Sequence, residues 1–295
     1  GVKTEGFANG AASLEMNKIA GYDTGMTNAD GGVMEIIDYN TRTGWAYAVN
    51  GNTGKLTAIP IDTEKENLRN KLENSGTSSV LLNGNDIDVK SMVEEENFVY
   101  GDMTSVAVSP HGSMLAAAVQ AQGCGDSGRA LLFTCNEDGT LTLKTVVETG
   151  VQPDMITFTP DGSKILTANE GEPREGYGAG AADPRGSVTV IDVSSENYNA
   201  ETVGFEAFDE KRTELVEDGI VLKKDTAPSV DLEPEYIACS DTTAYVTLQE
   251  ANAVGVLDLA SREFTGIYSA GFEDYSKTAV DIDKKDEQYS AKTYE

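Results

Sequence analysis

The sequence predicts an all-β protein, a β-propeller with about four blades in this chain. Three observations carry that expectation. Residues 152–193 read as strand, turn, strand, polar loop and strand, closing on Val-Ile-Asp-Val. The first and last parts of that unit recur three more times along the chain. Within each copy apolar and polar residues alternate, as they do in half-buried strands. Repeats of this length are the signature of a propeller or another stacked array.

Taken in order, the chain opens with a possible short strand near Ile19–Thr24, which in a closed ring could complete the last blade. Blade one, near 31–62, starts with Glu35–Tyr39, turns through Asn40–Gly44 and returns as Trp45–Asn50, with Lys55–Asp62 as its third strand. Residues 63–101 read as an insertion. There Thr63–Asn74 has a plausible N-cap and an i, i+4 leucine pair, Leu68 and Leu72, which predicts a short surface helix. Ser91–Glu96 reads as a further helical turn.

Blade two, near 102–150, runs Thr104–Val108, the turn Ser109–Gly112, Met114–Gln120 and Ala130–Cys135. Blade three, near 152–209, holds Met155–Thr159, the Pro160-Asp161-Gly162 turn, Lys164–Ala168 and Ser187–Val193. Proline pre-sets φ in such a turn, aspartate accepts local backbone bonds and glycine takes φ > 0. A second charged insertion, 194–230, shows little periodicity. Blade four, near 231–272, comprises Glu235–Cys239, Ala244–Gln249 and Val254–Leu259, before an acidic tail over 273–295.

Acidic residues outnumber basic ones by 50 to 22, a formal charge of −28. Such a surface repels phosphates and anionic lipids, so nucleic acid is not expected as a partner. No apolar run reaches the roughly 18 residues of a membrane helix, so no membrane insertion by this chain is expected. The start, Gly1-Val2-Lys3-Thr4, lacks a signal peptide and an initiator Met, so any export signal is expected outside this sequence. Three cysteines cannot all pair. Cys124 and Cys135 flank a hairpin and could bond, whereas Cys135 and Cys239 occupy strand positions that suit buried free thiols.

With the first strands in register, Glu35, Thr104, Asp154 and Glu235 form one column, spaced by 69, 50 and 81 residues. The second strands end on Asn50, Val119, Asn169 and Gln249, followed by Gly51, Gln120, Glu170 and Glu250. Antiparallel pairing brings both columns to one end of the channel. Glu35, Asp154, Glu170, Glu172, Glu235 and Glu250 are therefore the candidate metal ligands, and calcium, which takes six to eight oxygens, the candidate cofactor. The competing reading has each carboxylate capping amides or pairing across blades. Asp281, Asp283, Asp286 and Glu287 alternate weakly like a calcium loop but lack the EF-hand pattern. The single histidine, His111, falls in a turn, and no G-x-S-x-G, H-E-x-x-H, zinc-spaced or Walker motif is present. Arg174 and Arg185 are the candidate anion-binding residues for calcium-assisted hydrolysis, and pairing with Glu172 or Asp183 explains them equally well.

The runs PDMITFTPDGSKILTANEGEP, DPRGSVTVIDV, LEPEYIACSDTTAYVTLQEANAVGVLDLA and EIIDYNTRTGWAYAVNGNTGKL closely resemble the choice-of-anchor I family of bacterial surface and secreted proteins. That family is itself similar to mesenchyme-specific cell-surface glycoproteins, and its members are often labelled alkaline-phosphatase-like. The resemblance implies a propeller of the seven-bladed, YVTN/WD40-like type, export and display outside the cell. Relatives continue past a segment like GFEDYSKTAVDIDKKD into further blades, so the chain is expected to be a fragment whose partners include the remaining blades of the same protein. The function expected on all these grounds is an extracellular or cell-surface binding or scaffold module for an unidentified ligand, with calcium. The alternative is a calcium-dependent phosphoester hydrolase of the phosphatase or phytase type.

Overall fold

The computed structural model of the protein describes residues 18, 20–29, 32–61, 68–75, 80–94, 97–176, 180–282 and 290–294. After β1 (Ala20–Gly21) come β2 (Ile37–Asn40), β3 (Trp45–Asn50), β4 (Lys55–Pro60), α1 (Leu68–Ser75), β5 (Val80–Leu81), β6 (Asn85–Asp88) and α2 (Val89–Val93). Four strands then follow, β7 (Tyr100–Val108), β8 (Met114–Ala121), β9 (Ser127–Cys135) and β10 (Leu141–Val151). Next come β11 (Pro153–Phe158), β12 (Lys164–Asn169), β13 (Ser187–Asp192) and β14 (Ala200–Val203). A 3-10 turn over Glu206–Lys211 leads into α3 (Arg212–Glu217) and α4 (Pro228–Asp231). The last sheet is β15 (Tyr236–Cys239), β16 (Thr243–Leu248), β17 (Ala253–Asp258) and β18 (Glu263–Ser269).

Each of the four large sheets is an antiparallel meander, in the orders β2-β3-β4-β6, β7-β8-β9-β10, β11-β12-β13-β14 and β15-β16-β17-β18. Successive meanders pack face on face with their first strands innermost, the arrangement of propeller blades. Blades one and two share a core holding Tyr47, Leu56, Leu115, Val119 and Phe133. Blades two and three share one built on Ala116, Ala118, Leu132, Ile156 and Ile165. A third joins blades three and four through Leu166, Val190, Ile237, Val246 and Leu248.

A middle blade is thus buried on both faces, and its central strands read as continuous apolar runs, not as alternation. In β8 the run Ala116-Ala117-Ala118 is fully buried, with Ala117 facing blade one and its two neighbours facing blade three. The tight turns at the base of blades two and three match as expected. Gly112 and Gly162 adopt φ of 69° and 72°, and their amides donate to Ser109 O and Thr159 O, each at 2.8 Å. His111 is exposed in the first of these turns.

Several expectations need correction. β1 pairs in parallel with β5 in a sheet of its own and completes no blade. The span 63–101, expected as an insertion, supplies the fourth strand of blade one, because β6 pairs with β4. Of the two helices expected there, α1 covers Leu68–Ser75 and α2 covers Val89–Val93, while 63–67 and 95–96 lie outside the described residues. The insertion before blade four is helical, through α3 and α4. All three thiols are free, so the Cys124–Cys135 bond is not formed. Asp281 accepts from the Ser290 amide at 2.6 Å, and Asp283, Asp286 and Glu287 lie outside the described residues.

Candidate functional site

Because every blade starts and ends its first hairpin at the same end, that end gathers the expected columns. In blades two and three the column residue is also the extra residue of a β-bulge. The ladder jumps from Met103↔Val119 to Ser105↔Ala118 across Thr104, and from Pro153↔Asn169 to Met155↔Ala168 across Asp154. A bulge leaves that residue unpaired and re-aims its side chain. Thr104 Oγ1 uses this to donate to Pro153 O of the next blade at 2.6 Å.

A cavity of about 300 Å³ opens here, lined by Glu35, Asp102, Thr104, Gln120, Asp154 and Tyr236, with Asn28 and Asn52 at its side. Burial first, then the charges of Glu35 and Asp154, pushes the Asp102 carboxyl up. Asp154 is raised by burial and by Glu172. Both stay open to the cavity on one side, so water moderates these shifts. Gln120 Nε2 reaches Asp154 Oδ1 at 3.4 Å. Among the described residues no lysine or arginine lines the cavity.

Beside it lies a second group contributed by blades three and four. Glu170 is pushed up to about 8 by burial and then by Asp154, Glu172, Glu235 and Glu233. Glu235 is raised to about 7, by burial and then by a side-chain hydrogen bond with Glu250. Gln152 bridges this group. Its Nε2 donates to Glu170 Oε2 at 3.1 Å, and its Oε1 accepts from the Glu172 amide at 2.9 Å. Gln152 is buried at φ 58°, a conformation that non-glycine residues seldom adopt. The surrounding loop therefore holds the amide in place at a conformational cost.

The helical insertion adds a cation. Lys223 Nζ lies 3.1 Å from Asp231 Oδ1 and 3.2 Å from Glu233 Oε1, and both acidic side chains are 4% exposed. Burial raises Glu233 while Lys223 opposes that rise. Sequence reasoning missed Asp102, Gln152, Lys223 and Glu233. Asp102 and Glu233 each stand two residues before a column residue, Thr104 and Glu235, the one signal that was available. Gln152 and Lys223 depend on a bulged strand entry and on the path of a helical insertion.

The two arginines do not join the carboxylates as expected, nor do they pair with Glu172 or Asp183. Arg174 donates to Ala121 O and Gly123 O at 3.2 and 3.1 Å, tying its loop to blade two. Arg185 pairs with Glu206 at 2.9 Å, with both side chains more than half exposed. Exposed pairs of this kind contribute little. Arg185→Ala is expected to shift stability by less than about 1 kcal/mol, read by urea denaturation. Among the described residues no three Asp, Glu, His or Cys side chains converge closely enough to hold a metal ion as they stand. No helix among them is long and apolar enough to cross a membrane.

The family model for the choice-of-anchor I domain matches residues 35–295. No curated protein sequence matches significantly. Among solved structures, a candidate 6-phosphogluconolactonase from Bacteroides uniformis is 11% identical at a TM-score of 0.48, covering 80% of this chain and 55% of that one. A protein from Lactobacillus plantarum is 12% identical at 0.48, covering 79% and 56%. The Cps50 (Swd1) β-propeller domain of Myceliophteria thermophila is 12% identical at 0.45, covering 83% and 58%. The chain spans little more than half the length of each of these three.

Proposed function

Because the chain belongs to the choice-of-anchor I family, we propose that it is a surface or secreted β-propeller module that binds its ligand at the acidic mouth of the channel, with calcium as the cation held there. The observation that carries this reading is the convergence of Glu35, Asp102 and Asp154, from three blades, on one cavity with no described basic side chain in its lining, and the crowding of Glu170, Glu235 and Glu250 beside it. Crowded carboxylates that hold their protons above the usual range mark excess negative potential, which a hard cation relieves. The donors fit calcium in kind, being carboxylate, amide and hydroxyl oxygens. Their present spacing does not close a site, so binding requires the exposed side chains of Asp102, Asp154 and Glu250 to turn inward.

The hydrolase alternative is weaker. It needs a cationic anion-binding group at the same cavity, and both nominated arginines are engaged elsewhere.

Calcium titration by calorimetry at pH 8.5, with melting in calcium and in chelator, tests the proposal. Saturable binding is expected, with a melting temperature that rises with free calcium, since a ligand of the folded state stabilises by RT ln(1 + [L]/Kd). An Asp154→Asn/Glu235→Gln variant should lose both effects without a fall in its chelator-state melting point, since both substitutions remove crowded charge. Absence of binding at pH 8.5 in the unaltered chain would overturn calcium as the cation.

A further inference from the structure

The segment that follows α3 builds a pocket of its own, which shares no lining residue with the cavity at the channel mouth. α3 closes in a Schellman turn. Gly219 adopts φ of 90° and donates to Val216 O at 3.1 Å, and the Ile220 amide donates to Leu215 O at 3.0 Å. The turn sends Leu215 and Ile220 into the core between blades three and four. It leaves Val216 and Val221 at the surface, 44% and 48% exposed. Two bonds fix the segment on blade four, from Val221 N to Ala251 O and from Ser269 Oγ to Gly219 O, both at 2.9 Å. Phe272, 74% exposed, lies against the turn, its Cε2 3.2 Å from the place a Cβ on Gly219 would take.

Between these groups opens a cavity of about 410 Å³, lined also by Leu222, Arg212 and Lys224. Three large apolar side chains left in water around one hollow mark an interaction site. Both charged residues of the lining are cationic, and no acidic side chain among the described residues joins them, in a chain whose acids outnumber its bases by 50 to 22. Arg212 is held in place by carbonyls, Nε donating to Thr226 O at 3.0 Å and Nη2 to Lys223 O at 2.7 Å. Its Nη1 makes no hydrogen bond, and Lys224 no ion pair, among the described residues. A guanidinium fixed in this way keeps its full charge and gives up little freedom on meeting a carboxylate.

We propose that this pocket binds a small organic carboxylate with an apolar body. Arg212 and Lys224 hold the carboxylate, and Val216, Val221 and Phe272 pack on the body. The volume suits such a molecule, since small-ligand pockets run from roughly 300 to 1,000 Å³. A neutral hydrocarbon would leave both cations unpaired, and an inorganic anion would leave the apolar lining in water. Only a ligand with both parts uses the whole surface.

The test titrates phenylbutyrate into this chain and follows it by ligand-observed NMR. Chelator is present throughout, so cation binding at the channel mouth does not enter and the two proposals stand or fall separately. Saturable binding in about the millimolar range is expected, the strength an open site offers a ligand of about a dozen heavy atoms. Phenylbutanol should bind at least about tenfold more weakly. Lys224→Glu should weaken phenylbutyrate by about tenfold and leave phenylbutanol unchanged, and Phe272→Ala should weaken both. Both side chains are exposed, so neither variant is expected to lower the melting temperature by more than about 2 °C. No saturable binding of phenylbutyrate, equal affinity for the alcohol, or unchanged binding by Lys224→Glu overturns the proposal.

Discussion

Replacing Glu170 by glutamine is expected to raise the melting temperature in chelator at pH 8.5 by on the order of 5–10 °C, and to change it little at pH 5. In the folded chain Glu170 keeps its proton up to about 8, against a reference of 4.5. Between those values an unfolding molecule releases a proton. Raising the pH therefore favours the unfolded state, and the contribution present below 4.5 is lost as pH climbs through about 8. Discounted for the water that still reaches the side chain, the effect is roughly 3 kcal/mol. Glutamine keeps the shape and can still meet Gln152, but has no charge to develop. Thermal melts of both proteins from pH 5 to pH 9 would show two curves that separate steadily from about pH 5 and run parallel again above about pH 8. Parallel curves throughout would mean that Glu170 ionises normally and that the crowding at the channel mouth is relieved.

The second large effect is expected at Gly186, where the long loop of blade three returns to the sheet. A Cβ at this position would overlap the carbonyl oxygen of Leu232 and Cδ of Pro234, both on the segment that delivers Glu233 and Glu235. Backbone cannot rotate aside as a side-chain tip can, so Gly186→Ala should cost about 2–4 kcal/mol. It should also weaken calcium binding through the displaced Glu233 and Glu235. Gly180 is the control. It has φ of 88° and, its chain neighbours aside, no atom of the described residues within 4 Å of the place a Cβ would take, so Gly180→Ala tests conformation without collision and should cost nearer 1 kcal/mol. Urea denaturation separates the two, and equal losses would remove the steric argument.

The inner three strands of each blade were legible because their apolar residues repeat and short polar turns, Pro-x-Gly in blades two and three, punctuate them at matching offsets. The short outer strands were not. β6 reads Asn-Asp-Ile-Asp and β14 reads Ala-Glu-Thr-Val, polar segments with no pattern of their own, whose pairing is imposed by the hairpin before them. At the channel mouth, the carboxylate columns followed from counting strand starts and ends. The Gln152 bridge did not, since it rests on a backbone conformation no residue type announces. Nor did the Lys223 pairing, because α3 and α4 belong to a stretch without periodicity whose docking is decided by tertiary contacts. The arginines misled for a related reason: a loop guanidinium takes whichever carbonyl or carboxylate is nearest, and sequence does not state which.

The alanine run of β8 makes the order of the blades a matter of volume. Ala107, Ala116, Ala118 and Ala130 form a nearly flat methyl surface, and opposite them stand Ile156, Phe158, Ile165 and Ile191. Leu166 and Val190 of blade three, by contrast, meet Ala244, Val246 and Ala253 of blade four. Large groups face small ones at one junction, and the sizes are shared differently at the other. The four blades descend from one pattern but are not interchangeable parts. Exchanging blade two with blade three would set isoleucine against leucine on one side and leave voids on the other, so shuffling the repeats would break the ring although every strand kept its own fold.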